Sequence, residues 1–495
     1  MSLRQKVVKG VFTVTGGNVV AQGLAFTRIA ILANLLSKED FGIAATFLVT
    51  IAFLTMLGDL GIDRLLVQAR DGEEKPFQGA AHLLLAIRGL IVGAIIFFSA
   101  GLIGLLFDVP DAIWAFRCLA IVPIVKGFTH TDCRRLERQL RFKATVFVEV
   151  FPQLIIAIAA WPIATWLGDY SAVLWLVIAQ AVSTVIGSHI VAKRPYRITF
   201  NINYLMRFLS FGWPLLVNGL LIFGIFHGDR VIVGTWYTMG ELGVYSVAFA
   251  LLQAPKMLIT RSASALMLPL FSRVQDDHEA FCQRYRQSGI ALALISSCIA
   301  VVLIISAFPL IILIYGEKYS AVNSFLVWLV IMQAVRLLRV VPILAAMALG
   351  DTKNLMYSNM WRNSTLSIAV IAAVMDYELM WIAAAGCLGE IIALLYSMIR
   401  LARRQRIAFG LIAWPFILSG LWIALTAAIT SLLEIGTNWG VVIGISTAML
   451  ICVLLSMLSI SDLRTELSRA ISIVRKKSIA IQSDAVAIND IAQRK

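Results

Sequence analysis

Residues 79–107 read GAAHLLLAIRGLIVGAIIFFSAGLIGLLF, an apolar run interrupted by one charge, Arg88, and closed by Asp108-Val109-Pro110-Asp111. At ~1.5 Å of rise per residue, a helix of about 20 residues crosses the ~30 Å hydrocarbon core of a bilayer. The run is therefore read as a transmembrane helix. Comparable runs recur along the chain, and 60% of its 495 residues are hydrophobic while only 14% are charged. The mean hydropathy of +0.87 is far from that of soluble domains. Spans are predicted at 11–36, 41–62, 79–107, 112–129, 144–167, 171–192 and 208–235, then at 241–269, 288–315, 321–349, 355–375, 379–400, 409–433 and 439–460. The fold class is all-α polytopic membrane protein, with about fourteen spans. Turn and capping residues punctuate them, as at Ser37-Lys38-Glu39-Asp40, Gly168-Asp169-Tyr170, Gly350-Asp351-Thr352-Lys353 and Gly436-Thr437-Asn438.

A formal net charge of +14 would suggest nucleic acid in a soluble protein, so the placement of the cations decides the matter. They cluster in alternate loops: Arg64/Arg70/Lys75, Arg134/Arg135/Arg138/Arg141/Lys143, Lys193/Arg194/Arg197/Arg207, Arg273/Arg284/Arg286, Lys353 and Arg400/Arg403/Arg404/Arg406. The intervening loops offer Lys38 and Lys318. With the N-terminal Arg4, Lys6 and Lys9 and the seven cations of the tail, about thirty of the 42 basic residues fall on one side, the positive-inside pattern of a cytoplasmic face, and no nucleic-acid partner is expected. An even span count puts both termini there. Arg4, Lys6 and Lys9 precede a long apolar run without a small-residue cleavage site, which reads as a retained first helix. The six cysteines show no CxxC pair or metal spacing and are read as reduced packing residues, with no metal or cofactor expected. The tail 461–495 is polar and carries Arg475-Lys476-Lys477, as expected of a short interfacial helix on anionic lipid.

Short echoes suggest internal duplication. Asp40-Phe41-Gly42-Ile43 recurs as Glu241-Leu242-Gly243-Val244, and Phe107-Asp108 as Tyr315-Gly316, each roughly 200 residues later. Two six-helix lobes, 1–200 and 201–407, are expected, followed by two further helices over 408–460 and a cytoplasmic tail over 461–495. An even number of helices per lobe implies a parallel repeat, related by an axis along the membrane normal.

Ten cations fall inside the predicted spans, where an Arg or Lys costs about 2.5–3.5 kcal/mol at the bilayer centre and so calls for a water-filled cavity or a partner. Arg28, Lys256, Arg261, Arg336 and Arg339 lie near mid-depth and are assigned to a cavity; Arg336 and Arg339 share a helix face. Arg88, Lys126 and Arg362 lie in the inner parts of their helices, where the side chain can snorkel to the headgroups. Arg230 can pair with its neighbour Asp229 or with outer headgroups, and Arg117 lies toward the outer surface; both stay open as cavity residues. The intramembrane acids are few: Glu149, Asp229 and Glu390, with Asp59 near the inner end of the second span. They are candidates for carrying a coupled ion or for neutralising an arginine. A surplus of buried cations implies an anionic cargo, and the guanidinium fork suits phosphate or diphosphate. Asn18, Gln22, Asn218 and Gln253 are placed to bond sugar hydroxyls or to tie helices together. Pro214, Pro255 and Pro269 are candidate bends.

The loop motifs carry a resemblance. They are Met1-Ser2-Leu3-Arg4, Asp40-Phe41-Gly42, Asp59-Leu60-Gly61-Ile62 with Gln68, Arg138-Gln139-Leu140-Arg141-Phe142-Lys143 and Phe211-Gly212. Gly243-Val244-Tyr245 with Ala248, Leu268-Pro269-Leu270-Phe271-Ser272 with Gln275-Asp276-Asp277, and Gly316-Glu317-Lys318-Tyr319 follow. In this order and spacing the chain resembles, up to its twelfth span, the polysaccharide flippases of the multidrug/oligosaccharidyl-lipid/polysaccharide exporter superfamily, most like the colanic-acid and exopolysaccharide exporter branch. The resemblance implies two lobes around a central cationic cavity lined by helices 1, 2, 7 and 8. It also implies movement of undecaprenyl-diphosphate-linked oligosaccharide from the cytoplasmic to the periplasmic leaflet by alternating access, for exopolysaccharide or lipopolysaccharide biosynthesis. Arg28, Lys256 and Arg261 become the expected phosphate contacts, and the location becomes the bacterial inner membrane. A polysaccharide polymerase and an initiating glycosyltransferase are expected neighbours by analogy. One departure is Ala33-Asn34-Leu35-Leu36, where many relatives carry an arginine, so no role of that arginine transfers.

Two transport alternatives stay open: a lipid II flippase, and a multidrug or organic-ion antiporter, which the surplus of cations disfavours. A membrane enzyme of polysaccharide assembly is the remote alternative. It would need a large loop or an added catalytic domain, and the chain carries no GxSxG, HExxH or P-loop pattern. A non-enzymatic role is expected.

Overall fold

The computed structural model describes residues 3–58, 60–433 and 438–458. Among them every regular element is a helix. The α-helices are α1 (Leu3–Leu35), α2 (Lys38–Leu57), α3 (Ile62–Gln68), α4 (Lys75–Leu106), α5 (Ile113–Leu119), α6 (Ile121–Lys126), α7 (Asp132–Arg138), α8 (Lys143–Leu167) and α9 (Ser171–Val191). Then come α10 (Ile202–Trp236), α11 (Met239–Ser272), α12 (His278–Tyr315), α13 (Asn323–Ala348), α14 (Thr352–Ser364), α15 (Leu366–Val374), α16 (Leu379–Gln405), α17 (Gly410–Leu433) and α18 (Trp439–Leu458). Among the described residues eleven helices are long and apolar enough to cross a membrane, twelve when the two halves of α10 count as one span. Their outward faces are apolar, as lipid requires: on α4, Phe98 is 83% exposed and Leu105 73%. Asp59, Met1-Ser2, the Gly436-Thr437 turn and the tail 461–495 lie outside the described residues.

The count differs from the fourteen expected, for a physical reason. The predicted span 112–129 is broken between α5 and α6 at Ala120. Pro123 has no N–H to give the Leu119 carbonyl, and its ring crowds that same oxygen. The predicted span 355–375 is broken at Thr365, whose hydroxyl donates to the Arg362 carbonyl at 2.8 Å and so diverts the ladder between α14 and α15. Among the three prolines named as bends, Pro214 falls in the 48° bend between Ile202–Trp213 and Asn218–Trp236. α11 runs unbroken through Pro255 and Pro269.

By packing, the chain divides into two compact units. The first holds Met1–Arg261, Ala307–Gln333 and Leu355–Tyr396; the second holds Ser262–Ser306, Ala334–Asn354 and Ser397–Lys495. In the first unit the echoed motifs have equivalent geometry. Ser37 and Asp40 cap α2 reciprocally, the Asp40 N–H donating to Ser37 Oγ at 2.9 Å and the Ser37 hydroxyl to Asp40 Oδ2 at 2.6 Å. Thr238 and Glu241 do the same for α11. The two turns also pack on each other reciprocally. A Cβ on Gly42 would lie 1.8 Å from the Met239 carbonyl oxygen, and one on Gly243 would lie 2.2 Å from that of Lys38. The helices that end at Phe107 and Tyr315 are likewise followed by positive-φ residues, Asp108 (50°) and Gly316 (95°), and then by a 3₁₀ turn.

The reciprocal glycine contact gives a direct expectation. Gly42→Val forces backbone apart and should cost at least about 1–3 kcal/mol, read as a lowered unfolding temperature in detergent. Gly16→Ala, where an added methyl meets nothing within 4 Å, should be neutral or stabilising.

The later motif Gly316-Glu317-Lys318-Tyr319 closes the C-terminal end of α1. Lys318 Nζ donates to the carbonyls of Asn34 (2.9 Å) and Leu36 (2.6 Å), and the Tyr319 hydroxyl donates to that of Ala33 at 3.0 Å. These carbonyls belong to the last turn of a helix and have no intrahelical partner. Asn34, where the family resemblance leads to an expected arginine, donates to the carbonyls of Ala30 and Ile314.

Candidate functional site

Two adjoining cavities open within the first unit. The larger, of about 530 Å³, is walled by α1, α2, α3, α4, α6, α8, α9, the 127–134 segment and Arg261 of α11. Its cations are Arg88, Lys126, Arg134 and Arg261; its acids are Asp63 and Glu149. Asp63 is already engaged by Arg134 at 3.0 Å, so the wall keeps a positive balance. Amides and hydroxyls are interleaved with the charges: Asn18, Gln22, Gln153, Gln180 and Thr184. The smaller cavity, of about 310 Å³, carries Arg28, Arg230, Gln22, Gln253 and Ser246 among apolar residues of α1, α2, α9 and α11. Gln22 lines both, and Arg28 Nη1 donates to Gln180 Oε1 at 3.3 Å, so an arginine of the smaller cavity bonds an amide of the larger.

The residues expected from sequence distribute as follows. Arg261 and Glu149 line the larger cavity, and Arg28 and Arg230 the smaller. The Arg230 guanidinium lies 4.2 Å over the Phe249 ring. Lys256 is next to Met257 of the smaller cavity's wall, its Nζ 5.1 Å over the Phe226 ring. Such placement over an aromatic face attracts a cation electrostatically and helps to hold it in place. Arg117 is exposed on α5, and Arg336 and Arg339 are buried in the second unit. Asp229 is buried and accepts from the Arg230 N–H and the Tyr245 hydroxyl, both at 2.9 Å. Glu390, fully buried, pairs with Arg362 at 2.6 Å. Arg362 is therefore a buried ion-pair partner and not a snorkelling residue, and Glu390 is a neutralising acid.

Sequence reasoning missed Arg88, Lys126 and Arg134 as cavity residues. Depth alone points Arg88 and Lys126 to the headgroups, because it cannot say which way a helix face turns. A signal existed in Gly89: a Cβ there would meet the Pro123 carbonyl oxygen at 2.5 Å, so a bare position beside a charge marks where α6 presses on α4 and brings Lys126 close.

At one end of the larger cavity, His130 is held by the loop that carries it. Its Nδ1 accepts from the Asp132 N–H at 3.1 Å, and its Nε2–H donates to the Arg194 carbonyl at 2.9 Å. Burial holds the ring below its ordinary value of 6.5, as the neutral form. Burial alone would raise Asp132, but Arg135 and the Lys193 N–H hold it below the usual carboxylate value. The sign for His130 follows from linkage. A base whose folded pKa is depressed contributes stability above its unfolded pKa, and that stability is lost as pH falls through 6.5 toward the folded value. The unfolding temperature should therefore drop as pH falls below about 6.5, and His130→Asn should flatten that drop. An unchanged slope in the variant would refute the assignment.

Residues 31–324 match the family model described as polysaccharide biosynthesis protein. The chain is 21% identical over 330 residues to the lipopolysaccharide biosynthesis protein WzxC of Escherichia coli (strain K12), covering 65% of this chain and 66% of that one. It is 22% identical over 303 residues to the succinoglycan biosynthesis transport protein ExoT of Rhizobium meliloti (strain 1021), covering 60% of each. The matches thus span between three fifths and just under two thirds of these relatives' lengths. Among solved structures, the lipid II flippase MurJ in an inward closed conformation aligns over 90% of this chain and 98% of its own, with a TM-score of 0.66 and 16% identity. That likeness is one of fold.

Proposed function

Because the chain belongs to the polysaccharide biosynthesis protein family, we propose that it is the flippase that carries a polyprenyl-diphosphate-linked oligosaccharide from the cytoplasmic to the periplasmic leaflet of the bacterial inner membrane. The cargo is undecaprenyl-diphosphate-linked, and the product feeds exopolysaccharide or lipopolysaccharide assembly. The supporting observation is the joined pair of cavities in which cations outnumber acids and side-chain amides stand between them. In this reading Arg28 and Arg261 bind the diphosphate, Arg88, Lys126, Arg230 and Lys256 supply further positive field, and Gln22, Gln153 and Gln180 bond sugar hydroxyls. The polyprenyl tail stays in lipid while the cavity alternates its access.

The lobes 1–200 and 201–407, the helices of 408–460 and the tail 461–495 remain the proposed organisation, with both termini cytoplasmic. The reciprocal Gly42 and Gly243 contact supports the two-lobe reading. Arg336 and Arg339, buried in the second unit, remain proposed cargo contacts from their mid-depth place in the sequence alone, and Arg117 is proposed to meet the outer headgroups. The protein acts as a transporter and not an enzyme, working beside a polymerase and an initiating glycosyltransferase.

The reading is tested by binding in nanodiscs. Purified protein should retain an undecaprenyl-diphosphate oligosaccharide in preference to the corresponding neutral polyprenol, with affinity falling as salt rises. Equal retention of the neutral lipid would reject the diphosphate as the recognised group.

A further inference from the structure

A third cavity in the first unit, of about 670 Å³, is lined by residues of α1, α8 and α9 and by the turn before α8. Its lining includes Lys143 and Val191, the first residue of the span Lys143–Leu167 and the last of Ser171–Val191, with Gly10 and Thr13 of α1 beside them. The groove is therefore at the depth where hydrocarbon gives way to headgroups. Its floor is apolar: Leu140, Phe142, Phe147 and Val191, with the Phe142 ring seated against Gly10 of α1.

Above that floor stand Arg141, Lys143 and Lys193, all exposed, and no acid belongs to the lining. Among the described residues no carboxylate pairs with any of the three. Lys143 also opens α8, whose first turn carries no acid and whose N-cap Phe142 makes no side-chain cap, so the positive end of a 25-residue helix faces the same rim. The turn that shapes the rim is held in place by Leu140 at φ 59° and by Arg138, which donates to the carbonyls of Ala69 and Arg70.

We propose that this groove is a binding site for an anionic phospholipid of the surrounding leaflet, its phosphate on Arg141, Lys143 and Lys193 and one acyl chain along Phe142 and Phe147. An apolar floor at headgroup depth under three uncompensated cations is complementary to that amphiphile, and not to a neutral lipid or a free sugar. The site is separate from the cavities assigned to the cargo and does not depend on that assignment. Its consequence is that the lipid bridges α1, α8 and α9 and ties the carrier to acidic membrane.

The test titrates the full-length protein with phosphatidylglycerol and with phosphatidylcholine, reading bound lipid by native mass spectrometry. Wild type should prefer phosphatidylglycerol, and the triple variant Arg141→Gln/Lys143→Gln/Lys193→Gln should lose about tenfold or more in apparent affinity. The control Arg403→Gln/Arg404→Gln/Arg406→Gln removes the same formal charge and should stay near wild type. Equal losses in both variants would mean diffuse surface attraction and overturn the site. A photoactivatable phosphatidylglycerol applied to wild-type protein needs no substitution: crosslinks to 136–147 and 191–193 support the groove, and crosslinks elsewhere reject it. Displacement of the phospholipid by geranyl diphosphate at equal concentration would overturn the choice of phospholipid over prenyl diphosphate.

Discussion

Arg362→Ala is expected to destabilise the protein by about 3–5 kcal/mol, the cost of leaving one member of a buried ion pair behind. Arg362 and Glu390 are 3% and 0% exposed at the side chain, with Nε and Oε1 2.6 Å apart. The arginine also reaches the Gly224 carbonyl at 3.5 Å, so α14 is tied at once to α16 and to α10. Removing the guanidinium leaves a fully buried carboxylate without the arginine that faces it. The variant should show sharply reduced monodisperse yield and a lower unfolding temperature. The double replacement Arg362→Leu/Glu390→Leu should recover much of that loss, because it removes both charges together. If the double variant is as unstable as the single one, the damage comes from packing and not from the stranded charge.

Neutralising the cavity has the second large effect, on transport. A charge-assisted hydrogen bond to phosphate contributes about 1.5–3 kcal/mol, which converts to roughly ten- to a hundredfold in affinity for each arginine lost. Arg28→Gln and Arg261→Gln should each lower transport on this scale, while the purified protein keeps its wild-type unfolding temperature. Arg261 is exposed on the wall of the larger cavity, and Arg28 keeps an amide partner in Gln180, so neither substitution strands a buried charge. Arg→Lys at the same sites should recover part of the activity, since charge is retained but the fork is lost. Full activity in both glutamine variants would remove these residues from the cargo's path.

Much of this fold is legible in the sequence because a bilayer permits few solutions. A run such as 79–107 has one stable conformation in hydrocarbon, and the turns at Asp108, Gly168 and Gly350 announce themselves by the residues able to adopt positive φ. Individual helices are less legible where a local competitor acts. Pro123 and Thr365 each break a helix that apolarity alone would continue.

The candidate site is only half legible. Composition shows that cations outnumber acids within the spans, but their orientation depends on helix rotation, a property of packing. That is why Arg362 and Glu390, both recognised as costly charges, could not be matched from 28 residues apart. It is also why depth points Arg88 and Lys126 to the headgroups, whereas both line the larger cavity. The family motifs prove to be structural: Lys318 and Tyr319 close α1, Arg138 holds the α3–α4 turn, and Gly42 and Gly243 let two backbones meet.

The central claim concerns a lipid-linked sugar crossing a membrane through a cationic cavity. The most direct measurement is outward exposure of labelled undecaprenyl-diphosphate oligosaccharide in cells depleted of this protein, complemented with wild type or with the Arg28→Gln/Arg261→Gln variant. The account predicts that depletion traps the label in the cytoplasmic leaflet, that wild type releases it, and that the well-inserted variant does not. Normal outward exposure in the depleted cells would contradict it.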